Sequence, residues 1–190
     1  MPTNVNLVSS DITILAPYND ATQFFAFLRA EREKLSGVFT PSRIKVLDTL
    51  SQTLLLHPEL RRDAAAVALG FWLRRANLTS LEQNFRRGRN NGVIVPAGLV
   101  FHVAPANVDT MFVYSWALAF LTGNTNIVRL TTQLSPLMEN LLACIRQVGV
   151  EHPQAVAGNW FVTYPHESAM TAQVSVRCDL RIIWGGDETV

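Results

Sequence analysis

Asn107 is a candidate catalytic side chain because it lies at a predicted corner between a strand and a helix. It ends an Ala-Pro-Ala-Asn corner at residues 104–107, between a predicted strand at 99–103 and a predicted apolar helix at 109–121. A carboxamide in such a buried corner can donate a hydrogen bond to an oxyanion where water is excluded. It can equally cap the following helix through its side-chain oxygen. The residues alone leave both roles open.

A second corner, Gly-Gly-Asp-Glu-Thr at residues 185–189, follows a strand predicted for residues 180–184. A glycine pair lets a phosphate approach the backbone because no Cβ is in the way, and the amino end of a following helix stabilises the charge. The chain contains neither a GxGxxG fingerprint nor a Walker loop. By itself, the pattern favours an ordinary tight turn.

The remaining reactive side chains are predicted to be structural. Cys144 lies among leucines in the middle of a predicted helix, which indicates a core position. Cys178 precedes the last strand, and its neighbours do not form the cationic pocket that a reactive thiolate needs. His102 lies inside an apolar strand, which favours a hydrogen-bonded core histidine over an acid or base.

Five arginines precede the predicted sheet, at positions 74, 75, 86, 87 and 89. Such a cluster is typical of a solvated surface. The alternative is an anion site for a nucleotide or a coenzyme tail.

The elements that must position the two corners begin at residue 92. Strands predicted at 92–96, 99–103 and 126–130, with the helix at 109–121 stopped by Gly123-Asn124, indicate a parallel crossover unit. A helix at 135–149, a strand at 159–164 and a helix at 165–174 continue the alternation. Ligands of open α/β sheets bind at the carboxyl ends of the strands, where both corners are expected.

The first ninety residues have a different pattern. One edge strand is expected within residues 1–18, followed by helices at 21–36, 40–54 and 57–73 and by a short helix opened by a Thr-Ser-Leu-Glu capping box at 79–82. The predicted organisation is an N-terminal helical region, 1–91, and an α/β domain, 92–190. The chain stops just after the second corner, so we expect the N-terminal part of a longer protein or a truncated reading frame.

Composition excludes several classes of function. An apolar content of 48% is ample for a core, and a net charge of +1 argues against a nucleic-acid-binding face. Two cysteines form no metal or disulfide pattern, which fits a reducing compartment. No signal peptide is evident, and no segment has the roughly 20 apolar residues of a membrane span. A cytoplasmic protein is expected.

Three motifs occur in order and carry a resemblance: PxGLVFHVAPxNV, WALAFLTGNTNIVR and WGGDET. Residues 92–190 resemble the acyl-CoA reductase family, which includes the long-chain fatty acyl reductase of bacterial luminescence and lies within the aldehyde dehydrogenase superfamily. The resemblance implies a Rossmann-like parallel sheet, here a truncated cofactor domain, and a role in fatty acid metabolism. It also implies that a cysteine attacks the acyl thioester (of acyl-CoA or an acyl-protein) and that hydride transfer from a nicotinamide cofactor releases an aldehyde.

The resemblance assigns site residues. Pro105-Ala106-Asn107 is similar to the superfamily's Pro-Trp-Asn corner, whose asparagine holds the oxyanion. Residues 128–132 resemble the Lys-Pro-Ser-Glu run beside the adenine ribose, with Arg129 in place of the lysine.

Thr131 and Thr132 end that second run, and Thr132 replaces the acidic residue that favours NAD. A threonine does not repel a 2′-phosphate, and Arg129 can bind one, so NADP(H) is expected rather than NAD(H). Gly185-Gly186-Asp187 is similar to the superfamily's Thr-Gly-Ser corner near the pyrophosphate or nicotinamide.

In the superfamily, the cysteine nucleophile and the carboxylate base follow the glycine corner, so both are expected outside this chain. Two hypotheses therefore stand. The chain is either part of an NADPH-dependent acyl-CoA reductase or a truncated, non-catalytic module that binds nucleotide or a partner. Because a cut sheet exposes strand edges and apolar surface, a homo-oligomer or association through the truncated edge is expected.

Overall fold

A mostly parallel sheet organises the computed structural model, which describes residues 11–30, 37–88 and 93–185. Within these ranges, five strands form the sheet: β1 (Thr13–Ala16), β2 (Leu99–Val103), β3 (Thr125–Leu130), β4 (Asn159–Thr163) and β5 (Leu180–Ile183). The helices are α1 (Ala21–Arg29), α2 (Pro41–Leu56), α3 (Ala64–Trp72), α4 (Arg75–Arg87), α5 (Met111–Leu121), α6 (Pro136–Glu151) and α7 (Met170–Ser175), with a 3-10 turn at Leu60–Arg62.

The strand order is β1-β4-β3-β2-β5. Strands β2 to β5 are parallel, and β1 runs antiparallel to β4 at the edge. From β2 the chain adds β3 and then β4 on one side, and it afterwards returns to place β5 on the other side of β2. The predicted edge strand, the parallel crossovers and the α/β class are therefore confirmed.

Helices cover both faces of the sheet because strand residues are buried alternately on each side. One core contains α2, α3, α5 and α6 against Val128 and Phe161, and the other contains α1 and α7 against Phe101 and Ile127. Residues from before and after position 92 share both cores. The predicted boundary at residues 91 and 92 lies outside the described residues and stays a prediction.

Local signals explain several helix ends. Thr40 and Ser135 cap α2 and α6, each followed by a proline at the first helical position. Helix α5 ends before Gly123, which has a φ of +92°. Gly149 does not end α6 as predicted, because the helix continues to Glu151. A Cβ at Gly149 would lie 2.6 Å from Pro17, so this glycine allows close packing instead.

A buried arginine fixes the carboxyl end of α5. Arg43 of α2 is only 6% exposed, and its guanidinium lies 4.5 Å from the ring centre of Phe120. It donates to the carbonyls of Phe120, of Gly123 at 3.3 Å and of Asn124 at 3.0 Å. Burial lowers the pKa of Arg43 to about 10, because the charged form is desolvated. The arginine thus neutralises the negative end of the helix dipole.

Four predicted element starts were wrong. Residues 93–97 form no strand; Val93 and Val95 are 89% and 73% exposed. The predicted capping box at 79–82 lies inside α4, where Thr79 donates to the carbonyl of Arg75 at 2.9 Å. After each of the prolines at 58 and 165 a turn comes first, and α3 and α7 begin six and five residues later. Among the described residues, no helix has the length and apolar character needed to cross a membrane.

Candidate functional site

The two predicted corners follow neighbouring strands: Ala104 comes directly after β2, and Gly185 comes shortly after β5. Strand β5 is the parallel neighbour of β2, with Val103 in register with Ile183. The backbone N–H of Trp184 donates to the Val103 carbonyl at 3.1 Å, immediately before Gly185. On the other side of β2, the N–H of Ala104 donates to the Arg129 carbonyl at 3.0 Å. Strands β3 and β5 therefore lie on either side of β2 at the point where the chain enters the Ala104–Asn107 corner.

This edge contains the topological switch point of the sheet. Helix α5 joins β2 to β3 on one face, whereas α7 precedes β5 on the opposite face. Open α/β sheets bind ligands at the carboxyl ends of strands at such a point, so we expect the ligand crevice at the carboxyl ends of β2 and β5. Gly185 is exposed at the carboxyl end of β5, whereas Gly186 and Asp187 lie outside the described residues.

Asn107 is exposed, so the prediction of a buried corner was wrong for this chain. Pro105 is half-buried and Ala106 is exposed beside it. Asn107 does not cap the helix either, because α5 starts at Met111 with Thr110 at the cap position and without a side-chain cap bond. Within the described ranges, the Asn107 carboxamide makes no hydrogen bond. It is accordingly available to a ligand in the crevice.

A contact that the sequence analysis missed connects this corner to the next loop. Ser135, which caps α6, also donates from its hydroxyl to Asp109 at 2.6 Å. The turn before α5 and the loop after β3 are thereby held together. The sequence predicts Asp109 only as the start of a helix, and nothing local in the sequence pairs it with a serine 26 residues away.

Arg129 lies at the carboxyl end of β3 on the face of α7. Its guanidinium is 4.8 Å from the ring centre of Tyr164, and Nη2 donates to the Tyr164 carbonyl at 3.4 Å, near the upper limit of a hydrogen bond. Its buried Nε has no partner among the described residues. A buried donor without a partner is costly. The arginine therefore fits an anion as an additional acceptor, at the end of the strand where the ribose is expected.

Thr131 and Thr132 follow β3 directly. The hydroxyl of Thr131 accepts from the N–H of Gln133 at 3.4 Å, and its carbonyl accepts from Thr163 at 3.0 Å. Thr132 is exposed. Thr131 thus shapes the loop, whereas Thr132 presents a neutral side chain to solvent, at the position that the resemblance compares with an acidic residue.

A buried polar network underlies the crevice. The indole N–H of Trp184 donates to Ser115 Oγ at 3.0 Å, and Ser115 Oγ contacts His102 Nδ1 at 2.7 Å. His102 Nε2 contacts Asn126 Oδ1 at 3.0 Å, and Asn126 Nδ2 donates to Asn159 Oδ1 at 2.7 Å. His102, Asn126 and Asn159 are fully buried. The network reaches from the sheet interior to the residue before Gly185.

His102 is a neutral structural histidine. Burial lowers its pKa to about 4, and the hydrogen bond to Asn126 acts in the opposite direction. This agrees with the preferred sequence interpretation of a hydrogen-bonded core residue. The asparagines that complete its surroundings were not predicted. Their sequence signal is weak, because each asparagine is only one of the polar residues of its strand, beside Thr125 and Arg129 in β3 and Thr163 in β4.

Neither cysteine is placed as a nucleophile. Cys144 is buried in α6, and burial raises the pKa of its thiol to about 11. The Cys178 thiol donates to the Ser175 carbonyl at 3.4 Å. Among the five arginines, Arg86 pairs with Glu82 at 2.7 Å and Arg74 stacks on Phe71 at 3.9 Å, while Arg89 lies outside the described residues. These contacts are those of a solvated helix surface.

Comparisons with known proteins agree with this architecture. The sequence model of the acyl-CoA reductase (LuxC) family matches residues 76–190. Among solved structures, an aldehyde dehydrogenase from Bacillus cereus, in complex with NAD+, is similar with a TM-score of 0.50 and 17% identity. The match covers 96% of this chain but only 44% of that enzyme. At this identity the likeness is one of fold. A comparison with curated protein sequences gave no match.

Proposed function

The chain belongs to the LuxC family of acyl-CoA reductases, and we propose that it is the NADPH-binding part of an enzyme that reduces an acyl thioester to an aldehyde. The observation that carries the proposal is that β2 and β5, which lead into the Asn107 and Gly185 corners, are neighbouring parallel strands whose adjoining helices lie on opposite faces of the sheet. The chain covers less than half of the aldehyde dehydrogenase that it resembles. The acyl-CoA or acyl-protein substrate and the fatty acyl pathway are accordingly part of the proposal.

The residues at the ends of β2, β3 and β5 would hold the cofactor and the carbonyl oxygen of the thioester. Gly185, followed by Gly186 and Asp187, would lie against the pyrophosphate or the nicotinamide, because a glycine lets phosphate oxygens approach the backbone. Pro105 and Ala106 would line the crevice. Arg129, Thr131 and Thr132 would surround the adenine ribose. When bound, the nicotinamide supplies the hydride.

Asn107 would stabilise the oxyanion of the thioester. Its free carboxamide N–H donors favour negative charge on the carbonyl oxygen, provided that the rest of the enzyme excludes water from this exposed corner. The attacking thiolate would come from a cysteine outside this chain, because Cys144 is buried in the core and Cys178 follows α7. For the same reason, the alternative is a nucleotide-binding module without chemistry of its own.

NADP(H) is proposed over NAD(H) because the end of β3 carries a cation and no carboxylate. A 2′-phosphate would give the buried Nε and the terminal nitrogens of Arg129 a bidentate acceptor. A carboxylate at Thr132 would repel that phosphate, and the threonine does not. A cytoplasmic location, without nucleic-acid partners, completes the proposal.

The cofactor assignment is tested by titrating the chain with NADPH and with NADH. We expect NADPH to quench Trp184 fluorescence, and we expect Arg129→Ala to weaken NADPH binding about tenfold while changing NADH binding by less than about threefold. Arg181→Ala is the matched control, because Arg181 lies exposed on β5 and contacts Ser175 instead of the crevice.

Two results would contradict the cofactor assignment. If neither cofactor binds, there is no dinucleotide site in this chain. If Arg129→Ala weakens both cofactors equally, Arg129 does not recognise the 2′-phosphate. A Trp184→Phe variant attributes the quenching, because it must abolish the signal without abolishing binding.

Self-association is expected through the outer edge of β5. Among the described strands none pairs with this edge, and Leu180 and Val176 near it are 44% and 84% exposed. Light scattering should therefore find dimers or larger species at micromolar concentration. Leu180→Lys should reduce their mass, because a lysine on an edge strand opposes pairing. A monodisperse monomer of the unaltered chain would contradict this expectation.

A further inference from the structure

Trp184 is anchored at both its backbone and its side chain, just before the corner that is proposed to approach the dinucleotide. Its N–H donates to the Val103 carbonyl, and its indole donates to Ser115 Oγ at 3.0 Å. The indole is nevertheless 39% exposed, so it lies between the sheet interior and the crevice. Ser115, in contrast, is 4% exposed and lies in the middle of α5.

The direction of each hydrogen bond in the network is fixed. An indole nitrogen can only donate, so Asn159 Oδ1 accepts from Trp116, and Ser115 Oγ accepts from Trp184. Asn126 therefore turns its amide nitrogen to Asn159 and its oxygen to His102 Nε2, which leaves His102 Nδ1 to accept the Ser115 proton, 2.7 Å away. His102 Nε2 then carries the ring proton and donates to Asn126 Oδ1. The Asn126 amide in turn donates to Asn159 Oδ1, which also accepts from the Trp116 indole at 2.9 Å. Reversing any one of these bonds would leave a buried group without a partner.

We propose that Ser115 is a positioning residue for the cofactor corner: it holds the Trp184 indole and thereby fixes the backbone that leads into Gly185. His102 and Asn126 hold the Ser115 hydroxyl in the orientation that accepts the indole proton. This inference rests on the proposed dinucleotide site. It adds that side chains of α5, β2 and β3, which do not touch the ligand, hold the site in its binding conformation.

Preorganisation is the reason for expecting an effect on affinity. A glycine corner has many backbone states, and ordering it on binding costs free energy that the ligand must supply. A bulky indole attached to the rigid α5 removes much of that cost before the ligand arrives. Ser115 is therefore expected to influence cofactor affinity without any contact with the cofactor.

The test compares Ser115→Ala with Ser51→Ala. Both serines are buried, and each donates one hydrogen bond, but Ser51 donates to the Gly70 carbonyl at 2.6 Å, between α2 and α3 and away from the crevice. NADPH binding is followed by the fluorescence of the cofactor itself. We expect Ser115→Ala to raise the dissociation constant about five- to tenfold and to shift the Trp184 emission to the red. Ser51→Ala should leave both within twofold of the unaltered chain.

Trp184→Phe keeps an aromatic ring but lacks the N–H donor. It should weaken NADPH binding about as much as Ser115→Ala, and the double variant should bind no more weakly than either single variant, because both changes remove the same hydrogen bond. If Ser115→Ala does not fold, Trp184→Phe alone tests the proposal, because Trp184 is partly exposed and its substitution disturbs the core less.

The outcomes separate this inference from the proposed function. Additive effects in the double variant, or a dissociation constant within twofold for Ser115→Ala or Trp184→Phe, would overturn the positioning role while leaving the cofactor site in place. Equal weakening by Ser51→Ala would assign the effect to overall stability and would also overturn it. A complete lack of NADPH binding by the unaltered chain would overturn both.

Discussion

Replacing Arg43 with alanine should lower the free energy of unfolding by about 3 kcal/mol, the largest loss expected from any single change discussed for this chain. The substitution removes the donors for three carbonyls at the end of α5 and leaves those acceptors in a buried site. Release from the desolvation that lowers the arginine pKa offsets part of the loss. Urea-induced unfolding followed by circular dichroism measures the change.

Two further variants define the cause. Arg43→Met keeps most of the side-chain volume but none of the donors, so it should retain most of the destabilisation. Arg61→Ala, at an exposed arginine in the 3-10 turn, should change stability by less than about 0.5 kcal/mol. If Arg43→Met were as stable as the unaltered chain, the carbonyls at the end of α5 would have found other partners and the dipole argument would fail.

Lowering the pH from 6.5 to 4 should reduce the free energy of unfolding by about 3 kcal/mol through His102 alone. In the unfolded chain the imidazole takes up a proton near its ordinary pKa of 6.5, whereas in the folded chain burial lowers its pKa to about 4. Protons therefore bind preferentially to the unfolded state in this window. The contribution of His102 is complete above pH 6.5, is lost as the pH falls through 4, and does not change further below that.

The comparison with His102→Gln isolates this contribution. The variant loses stability at pH 7.5, because its amide cannot reproduce both ring contacts, but its unfolding free energy should fall less steeply between pH 6.5 and 4. An NMR titration of the His102 ring in the folded chain gives the folded pKa independently. Parallel stability profiles for the two proteins, or a ring that titrates near 6.5, would contradict the prediction.

The crossover unit was predictable because its signals are local. An apolar strand, an apolar helix and the Gly123-Asn124 stop follow each other at the spacing of a parallel connection, and the structure has β2, α5 and β3 at these places. The capping pattern at 79–82 misled because α4 already begins at Arg75, four residues before Thr79. A threonine within a helix bonds back to a carbonyl instead of starting a new one.

The polar network was beyond such local reasoning. His102, Asn126 and Asn159 lie on three different strands, and only the parallel register of β2, β3 and β4 brings them together. The exposure of Asn107 is likewise a property of packing, and no residue pattern nearby distinguishes it from burial. Of the predicted site, the joint position of the two corners at one edge followed from strand order, which a sequence motif cannot supply alone.

The return of the chain from β4 to the far side of β2 has a consequence for synthesis. Leu99, at the start of β2, donates its backbone N–H to the carboxylate of Asp179, 80 residues later, whereas Gly98 bonds to Asn124 over only 26 residues. At a ribosomal speed of about 5–20 residues per second, β5 is synthesised on the order of ten seconds after β2, with which it pairs. Throughout that interval the nascent chain has an open edge and an unfinished crevice. The proposed dinucleotide could therefore bind between these strand ends only after β5 has paired with β2, and its binding would stabilise that 80-residue closure.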